Sequence, residues 1–315
     1  MKPSLTDRIA YRLYQTFGQP KLAASPGARE QARIDWLRAE TARIELPKEG
    51  QQTSRWLNNQ KVLIEQIRES DPRYFLSWDV IINTMFSPAP PEEFAALKAH
   101  PQWQQLSRAL REDAVGQPKR YYLYPYSSGN LMHHAYSLLQ LQQHLGAHSI
   151  VPAGPVLEFG GGYGSLARYL FRLGYAADYM IYDLPLFNKL QQFYLSSVFD
   201  SEIKTDSVSH PNGGQVIMVN HENTSKYQEH LGQANCFIAL WSLSESPLAV
   251  RQTVLGLMGE PQYFLIAYQN QFEDIDNKAY FLELQGRYPN YTWHNYAIGH
   301  LPGHNYLIGI KKSEA

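Results

Sequence analysis

The sequence predicts an α/β protein, in which a mainly parallel, seven-stranded sheet closes with an antiparallel hairpin and follows a helical N-terminal region. Three observations predict it. After residue 155 short apolar runs alternate with helix-patterned segments, the grammar of a parallel sheet covered on both faces. The last two runs are joined only by "GHLPGH", too short for a crossover helix, so they must pair antiparallel. Up to about residue 147 the hydrophobic period is helical instead. A length of 315 residues suits two units, 1–147 and 148–315.

The elements follow in order. "LTDRIAYRLYQTF" repeats apolar residues four apart at Leu5, Ile9, Leu13 and Phe17, and "EQARIDWLRAETARIEL" and "WLNNQKVLIEQIRE" behave alike. Breakers separate them at 25–27, 47–50, 88–91 and 116–118. Strands are expected at 156–159, 179–183, 215–219, 236–241, 262–269, 291–298 and 305–311. Between the first two, "SLARYLFRLG" reads as a helix closed by Gly174. After the second, Phe187, Leu190, Tyr194 and Val198 share one helix face. No internal repeat or low-complexity tract interrupts the pattern.

Composition narrows the function classes. Lys and Arg number 28 against 29 Asp and Glu, a net charge of −1, without the broad basic footprint that phosphate-backbone binding needs, so no nucleic-acid partner is expected. The single cysteine, Cys236, lies in the apolar run "CFIAL" and reads as an inert thiol of a reducing compartment. The N-terminus lacks a signal-peptide core and no window approaches 18 apolar residues, so a cytoplasmic protein is expected. Lys2, Arg8 and Arg12 on the first helix suit contact with an anionic membrane, although such helices usually dock on their own protein. The 22 tyrosines suit ordinary cores and sugar-binding surfaces alike. His, Asp and Glu show no recognisable metal-ligand spacing, and no required metal is expected.

The stretch "VLEFGGGYGSLARYL" (156–170) carries the chemistry. A Gly-rich turn from strand to helix lets backbone approach a ligand, and the helix start offers unpaired amides. Four glycines in five positions exceed what a tight turn requires. Gly160, Gly162 and Ser165 approximate a dinucleotide fingerprint with Asp183 about 20 residues on, and spacing alone does not reject that reading. Glu158 argues against it: a carboxylate just before the loop opposes a pyrophosphate and favours a guest with ammonium and sulfonium groups. S-adenosylmethionine has both. Glu158-x-Gly160-x-Gly162-x-Gly164 has the form of the first motif of S-adenosylmethionine-dependent methyltransferases, whose Rossmann-like, seven-stranded sheet the closing hairpin also resembles.

More narrowly, the chain resembles the sugar O-methyltransferase family, in which a helical part precedes such a domain. The resemblance rests on the glycine stretch, "YDLP" (182–185), "LWSLSES" (240–246), "AYQNQFEDIDN" (267–277) and "SSGNLMHHAY" (127–136), spanning roughly residues 70–315. It implies methyl transfer to a sugar or glycan hydroxyl, in bacterial surface polysaccharide synthesis, with the helical part shaping the acceptor pocket. It would also place an asparagine near position 240, where this chain reads "ALWSLSE". An NAD-dependent sugar oxidoreductase or epimerase, and a non-catalytic S-adenosylmethionine-binding regulator, are the alternatives.

Under this reading Glu158, Gly160, Gly161, Gly162, Tyr163 and Gly164 hold the methionine part. Asp183, which can also cap the helix beginning at Leu184, accepts from the ribose hydroxyls. Asn220 either contacts the adenine edge or simply starts a loop, and Leu184, Trp241 and Ser242 are placed with the cofactor beside the crevice beyond the strands' carboxyl ends, where Trp241 equally suits the core. A hydroxyl acceptor needs a base. Glu245 projects from the right edge. His133 and His134 begin a helix and point about 100° apart, so at most one is expected to face the crevice. His300 and His304 sit on the final connection, at the same edge. Tyr124 and Tyr126 in "RYYLYPYSSGN" either stack on a sugar or cover the cofactor, or else pack in an interdomain seam.

Overall fold

The computed structural model describes residues 5–14, 18, 20–46, 54–86, 89–145 and 150–313. The first part is helical: α1 (Leu5–Leu13), α2 (Ala28–Thr41), α3 (Ser54–Glu69), α4 (Asp79–Met85), α5 (Pro91–Ala99), α6 (Trp103–Ala109) and α7 (Gly129–Leu145). A short ribbon, Arg120–Tyr121 with Tyr124–Ser128, leads into α7. There Ser128 caps the helix, accepting the Leu131 amide at 3.1 Å and donating to the buried Glu112 at 2.5 Å.

The main sheet contains β1 (Val156–Phe159), β2 (Tyr179–Tyr182), β3 (Ser207–Ser209), β4 (Gln215–Val219), β5 (Cys236–Leu240), β6 (Tyr263–Gln269), β7 (Tyr291–Ala297) and β8 (His304–Lys311). Its order is β7-β8-β6-β5-β1-β2-β4-β3. Strands β1, β2, β4, β5 and β6 run parallel, and β8 inserts antiparallel between β6 and β7. The helices on its faces are α8 (Ser165–Arg172), α9 (Pro185–Phe199), α10 (Thr224–Gly232), α11 (Leu248–Leu257) and α12 (Asn277–Arg287). The seven expected strands are present within a residue at each end. The eighth, β3, is a three-residue antiparallel edge beside β4, and "SVS" is too short and polar to stand out by pattern.

Alternation along β1 feeds two cores. Leu157 and Phe159 join Met180, Phe237, Val254 and Phe281 on one face, while Val156 turns toward Ile181, Ile238 and Ile308 on the other. The second core continues into the helical region through Ile34, Leu63, Phe75 and Leu97, so apolar packing is continuous between the two parts. The boundary expected at 147/148 lies outside the described residues, as do Phe17 and Lys2. Helix α1 leaves Ile9 and Leu13 half exposed and touches the body through Tyr11, whose hydroxyl donates to the Arg120 carbonyl. Gly174 closes α8 as expected, with Tyr175 donating to Leu170 and Gly174 to Phe171. Cys236 is buried. None of the described helices is long and apolar enough to cross a membrane.

Among the polar contacts that cross the seam, one centres on a fully buried arginine. Arg168 on α8 is fully buried, donating to Asp113 at 2.7 Å, to the Ala109 carbonyl at 3.2 Å and to the Arg111 carbonyl. Asp113 also accepts from Arg172. Removing one partner of a buried pair strands the other charge, so Asp113→Ala is expected to cost about 3 kcal/mol. That loss would appear as a lower urea midpoint at unchanged slope. A loss under about 0.5 kcal/mol would mean that the carbonyls alone satisfy the guanidinium.

Candidate active site at the carboxyl edge of the sheet

The chain reverses its lateral direction at β1, whose neighbours are β5 and β2; ligand crevices in open α/β sheets form at such a point, beyond the strands' carboxyl ends. Here the buried sheet opens. Val156–Phe159 are buried, whereas Gly160, Gly162, Tyr182, Asp183, Leu184, Trp241 and Ser242 keep part of their surface. Gly160 and Ser242 meet across the gap. Gly160 has φ +72°, and a Cβ on it would stand 2.3 Å from the Ser242 Cβ, while Ser242 donates to the Phe159 carbonyl. A Cβ on Gly161 would meet Ile181 at 2.6 Å and Glu158 Oε2 at 2.9 Å. The loop is bare because both its walls are close.

Asp183 serves the loop as well as the crevice. It accepts from the Leu184 amide and from Gln191, each at 2.8 Å, and from the Gly161 and Gly162 amides. Gln191 also donates to the Gly162 carbonyl at 2.9 Å. Burial raises the Asp183 carboxyl to about 7 in spite of these donors. Glu158 differs from expectation. It lies beneath the loop, almost fully buried, with Tyr179 donating to Oε2 at 2.8 Å. Burial, assisted by Asp183, raises it to about 8, so it is mostly protonated at pH 7 and does not by itself repel a diphosphate. Among the described residues neither acid joins a salt bridge with a cationic side chain.

The other expected cofactor residues have partners within the protein. Tyr163 is buried under the loop, stacked on Phe86 and edge-on to Tyr194, with Asn130 donating to its hydroxyl. Gly164, at φ +91°, starts α8. Asn220 shapes the turn after β4, donating to Asn188 and accepting the Glu222 amide, so an adenine contact would have to displace one of these bonds.

The turn 241–246 forms the opposite wall. Trp241 has φ +65°, a strained choice for a bulky side chain, and the turn is heavily braced. The Ser244 hydroxyl lies 2.7 Å from both the Trp241 carbonyl and Gln269 Oε1, within reach of donating to either. The fully buried Arg251 donates to the Ser244 and Ser246 carbonyls and to Asn277, which itself donates to the Ser244 carbonyl. This joins the "LWSLSES" and "AYQNQFEDIDN" segments. Glu245 sits half-buried on the turn, its amide donating to the Trp241 carbonyl.

Both α7 histidines make contacts near this edge. His133 stacks on Trp241 at 4.7 Å, and its Nδ1 lies 2.7 Å from Glu93 Oε1. His134 Nδ1 is 2.6 Å from Ser165, the first residue of α8, and burial with His133 nearby pushes it down to about 3. From the final connection, His300 Nε2 reaches the same Glu93 oxygen at 2.9 Å, and His304 Nδ1 accepts from the Trp241 indole at 2.7 Å. Burial holds His304 below its ordinary value. Among the described residues no three potential ligands are arranged to hold a metal.

Glu93 was missed from sequence. It is fully buried on α5, and its partners lie 40 and 207 residues away; one of two adjacent acids in the first turn of a helix gives no local signal. Tyr124 and Tyr126 are drawn elsewhere. Their contacts run to Phe94, Trp103, Ser107, Tyr14 and Arg111, within the helical region. A cavity of about 490 Å³, lined by residues including Ala96, His100, Leu139 and Gln143, is also separate from the glycine loop.

No family model matches the chain, and no curated protein matches it. Solved structures do. The 16S rRNA methylase ArmA is 14% identical, with 70% of this chain and 90% of that one covered and a TM-score of 0.35. The CurJ carbon methyltransferase is 11% identical over 99% and 72%, with a TM-score of 0.38. M. capricolum TrmK, in complex with S-adenosyl-homocysteine, is 13% identical over 56% and 68%, with a TM-score of 0.36. Likeness at this level speaks to the fold alone. The expected partners, a sugar or glycan without nucleic acid, are corrected on other ground, because the charge argument that excluded nucleic acid does not hold. An rRNA methylase stands among the matches, and a net charge averaged over a whole chain does not exclude a local RNA-binding surface.

Two outcomes follow. Gly160→Ala is expected to cost roughly 2–4 kcal/mol by urea denaturation, combining a left-handed backbone with the Ser242 clash; wild-type stability would show that the loop is not confined. Glu158 and Asp183 also titrate higher when folded than as free carboxyls near about 4. Their contribution to stability is therefore full below about pH 4 and lost as pH rises through about 7 and 8. Without added ligand, the melting temperature is expected to fall between about pH 4 and about pH 8, and Glu158→Gln should flatten the decline. A decline of the same steepness in Glu158→Gln would remove Glu158 as its cause.

Proposed function

We propose that the chain is an S-adenosylmethionine-dependent methyltransferase that methylates a hydroxyl group. The observation that carries the reading is a glycine loop at the sheet's switch point that lies beside the buried Glu158 and the partly exposed Asp183, neither with a countercharge among the described residues. A cationic guest supplies that charge; a diphosphate does not. The antiparallel strand β8 between β6 and β7 and the glycine motif support it too.

The residues present suit such a cofactor. Gly160–Gly164 would receive the methionine part, Asp183 and Leu184 would border the ribose, and Trp241 and Ser242 would close the far wall. When bound, S-adenosylmethionine supplies an electrophilic methyl group. The chain's own task is to orient the acceptor oxygen in line with that methyl, keep water out and take the hydroxyl proton. Histidines at the same edge, backed by a buried carboxylate, suit the last task. The hydroxyl chemistry is shared by free glycosides and by the ribose of RNA.

Isothermal titration with S-adenosylhomocysteine and NAD, followed by transfer from methyl-labelled S-adenosylmethionine, tests the reading. Two acceptor sets would be offered, methyl hexopyranosides and structured RNA. Homocysteine-nucleoside binding with label in either set supports it, and the labelled set names the acceptor class. NAD binding alone, or cofactor binding without transfer to either set, overturns it. Asp183→Ala is expected to weaken cofactor binding about tenfold or more; unchanged affinity would move the ribose elsewhere.

A further inference from the structure

We infer that His133 is the proton acceptor of the reaction and that Glu93, carried in from the helical region, is the residue that positions it. The inference rests on the methyltransferase reading above.

Four histidines meet at the crevice edge, and their bonding separates them. His304 has its Nδ1 lone pair occupied by the Trp241 indole. His134 is committed to Ser165. His300 spends Nε2 on Glu93. His133 alone among them has a ring nitrogen, Nε2, that is buried without a hydrogen-bonding partner among the described residues, and the second oxygen of Glu93, Oε2, is likewise buried and unpartnered. Most buried polar atoms are met by a partner, so an unmet lone pair beside the site is available to a ligand.

The carboxylate fixes which nitrogen is free. Glu93 Oε1 lies 2.7 Å from His133 Nδ1 and 2.9 Å from His300 Nε2, and a carboxylate shared by two imidazoles accepts an N–H from each. That assigns the proton of neutral His133 to Nδ1 and leaves a lone pair on Nε2. The ring is held at the crevice by stacking on Trp241, whose successor Ser242 abuts Gly160. Facing His133 are Glu93 from α5, His134 from its own helix, and His304 from β8; His300 reaches Glu93 from the connection before β8. In the transfer, the acceptor oxygen bonds to the methyl carbon as its proton passes to His133 Nε2. The carbon–sulfur bond breaks with its electron pair going to sulfur, which leaves a neutral thioether. The resulting imidazolium faces the Glu93 carboxylate and later releases its proton to solvent.

Ring-nitrogen NMR of ¹⁵N-histidine-labelled full-length protein reads the arrangement without any acceptor. The expected signal is one His133 tautomer, protonated at Nδ1. In Glu93→Gln the amide can present either oxygen or NH₂, so mixed tautomers are expected. A parent ring protonated at Nε2, or an unchanged signal in Glu93→Gln, overturns the positioning role. In labelled-methyl transfer to whichever acceptor set takes label, His133→Ala is expected to lower kcat about 100-fold. Glu93→Gln should lower it about tenfold, with KM and S-adenosylhomocysteine affinity within about twofold. A parent that transfers while His133→Ala is equally fast overturns this role alone. A parent that fails to bind S-adenosylhomocysteine overturns the methyltransferase reading and this role with it.

Discussion

The buried guanidinium of Arg168 is the joint on which the site's geometry depends. It belongs to α8, the helix that the glycine loop opens, and it is spent on Asp113 and two carbonyls of the segment just ahead of α7. Desolvating an arginine costs several kcal/mol unless each donor is met, so the charge tolerates only one relative placement of the two segments. Glu112, adjacent to Asp113, accepts from the Ser128 cap of α7. The helix that presents His133 and His134 is thereby registered against the helix that begins at the glycine loop, and the short His134–Ser165 contact follows from that register.

The opposite wall is secured by a second buried arginine under a strained residue. A left-handed Trp241 costs about 1–3 kcal/mol, and Arg251, Asn277, Ser244 and Gln269 all bond the turn that carries it. The gain is direction. In this conformation the indole stacks on His133 and donates to His304, while the next residue lies against Gly160. An extended Trp241 would satisfy its own backbone more cheaply and lose those contacts. Strain offset by so many bonds argues that the ring's position matters more than the turn's intrinsic stability.

How much of this the sequence discloses depends on the range of each interaction. Strands β1 to β8, the edge strand apart, are legible because apolar runs with Gly and Pro at their ends report on local burial. The loop and Asp183 are legible because strand, glycines and acid occupy fixed offsets in one continuous stretch. Glu93 is not, since only the folded chain brings α5 within reach of α7 and the last connection. Arg251 and Asn277 belong to quoted or adjoining segments, yet nothing local says that they would bond the same carbonyl. Tyr124 and Tyr126 stay ambiguous in sequence for the converse reason: aromatic residues suit a sugar face and a packed cluster equally, and Phe94 and Trp103 come from helices whose nearness is a tertiary fact.

The depth of Glu158 changes how the site distinguishes its guests. An acid exposed before the loop would repel a diphosphate at once; an acid buried beneath the loop and held near 8 is mostly neutral at pH 7 and repels little. Selectivity then comes from a coupled step. On the proposed reading, a guest with an ammonium group would draw the proton off Glu158, and with it off Asp183 near 7, by favouring the ionised carboxylates. A diphosphate must leave both acids protonated and gains nothing from them. The discrimination is therefore a difference in proton uptake as much as in charge, and Tyr179, which donates to Glu158 and so favours its ionised form, is the side chain that sets how readily the first proton leaves.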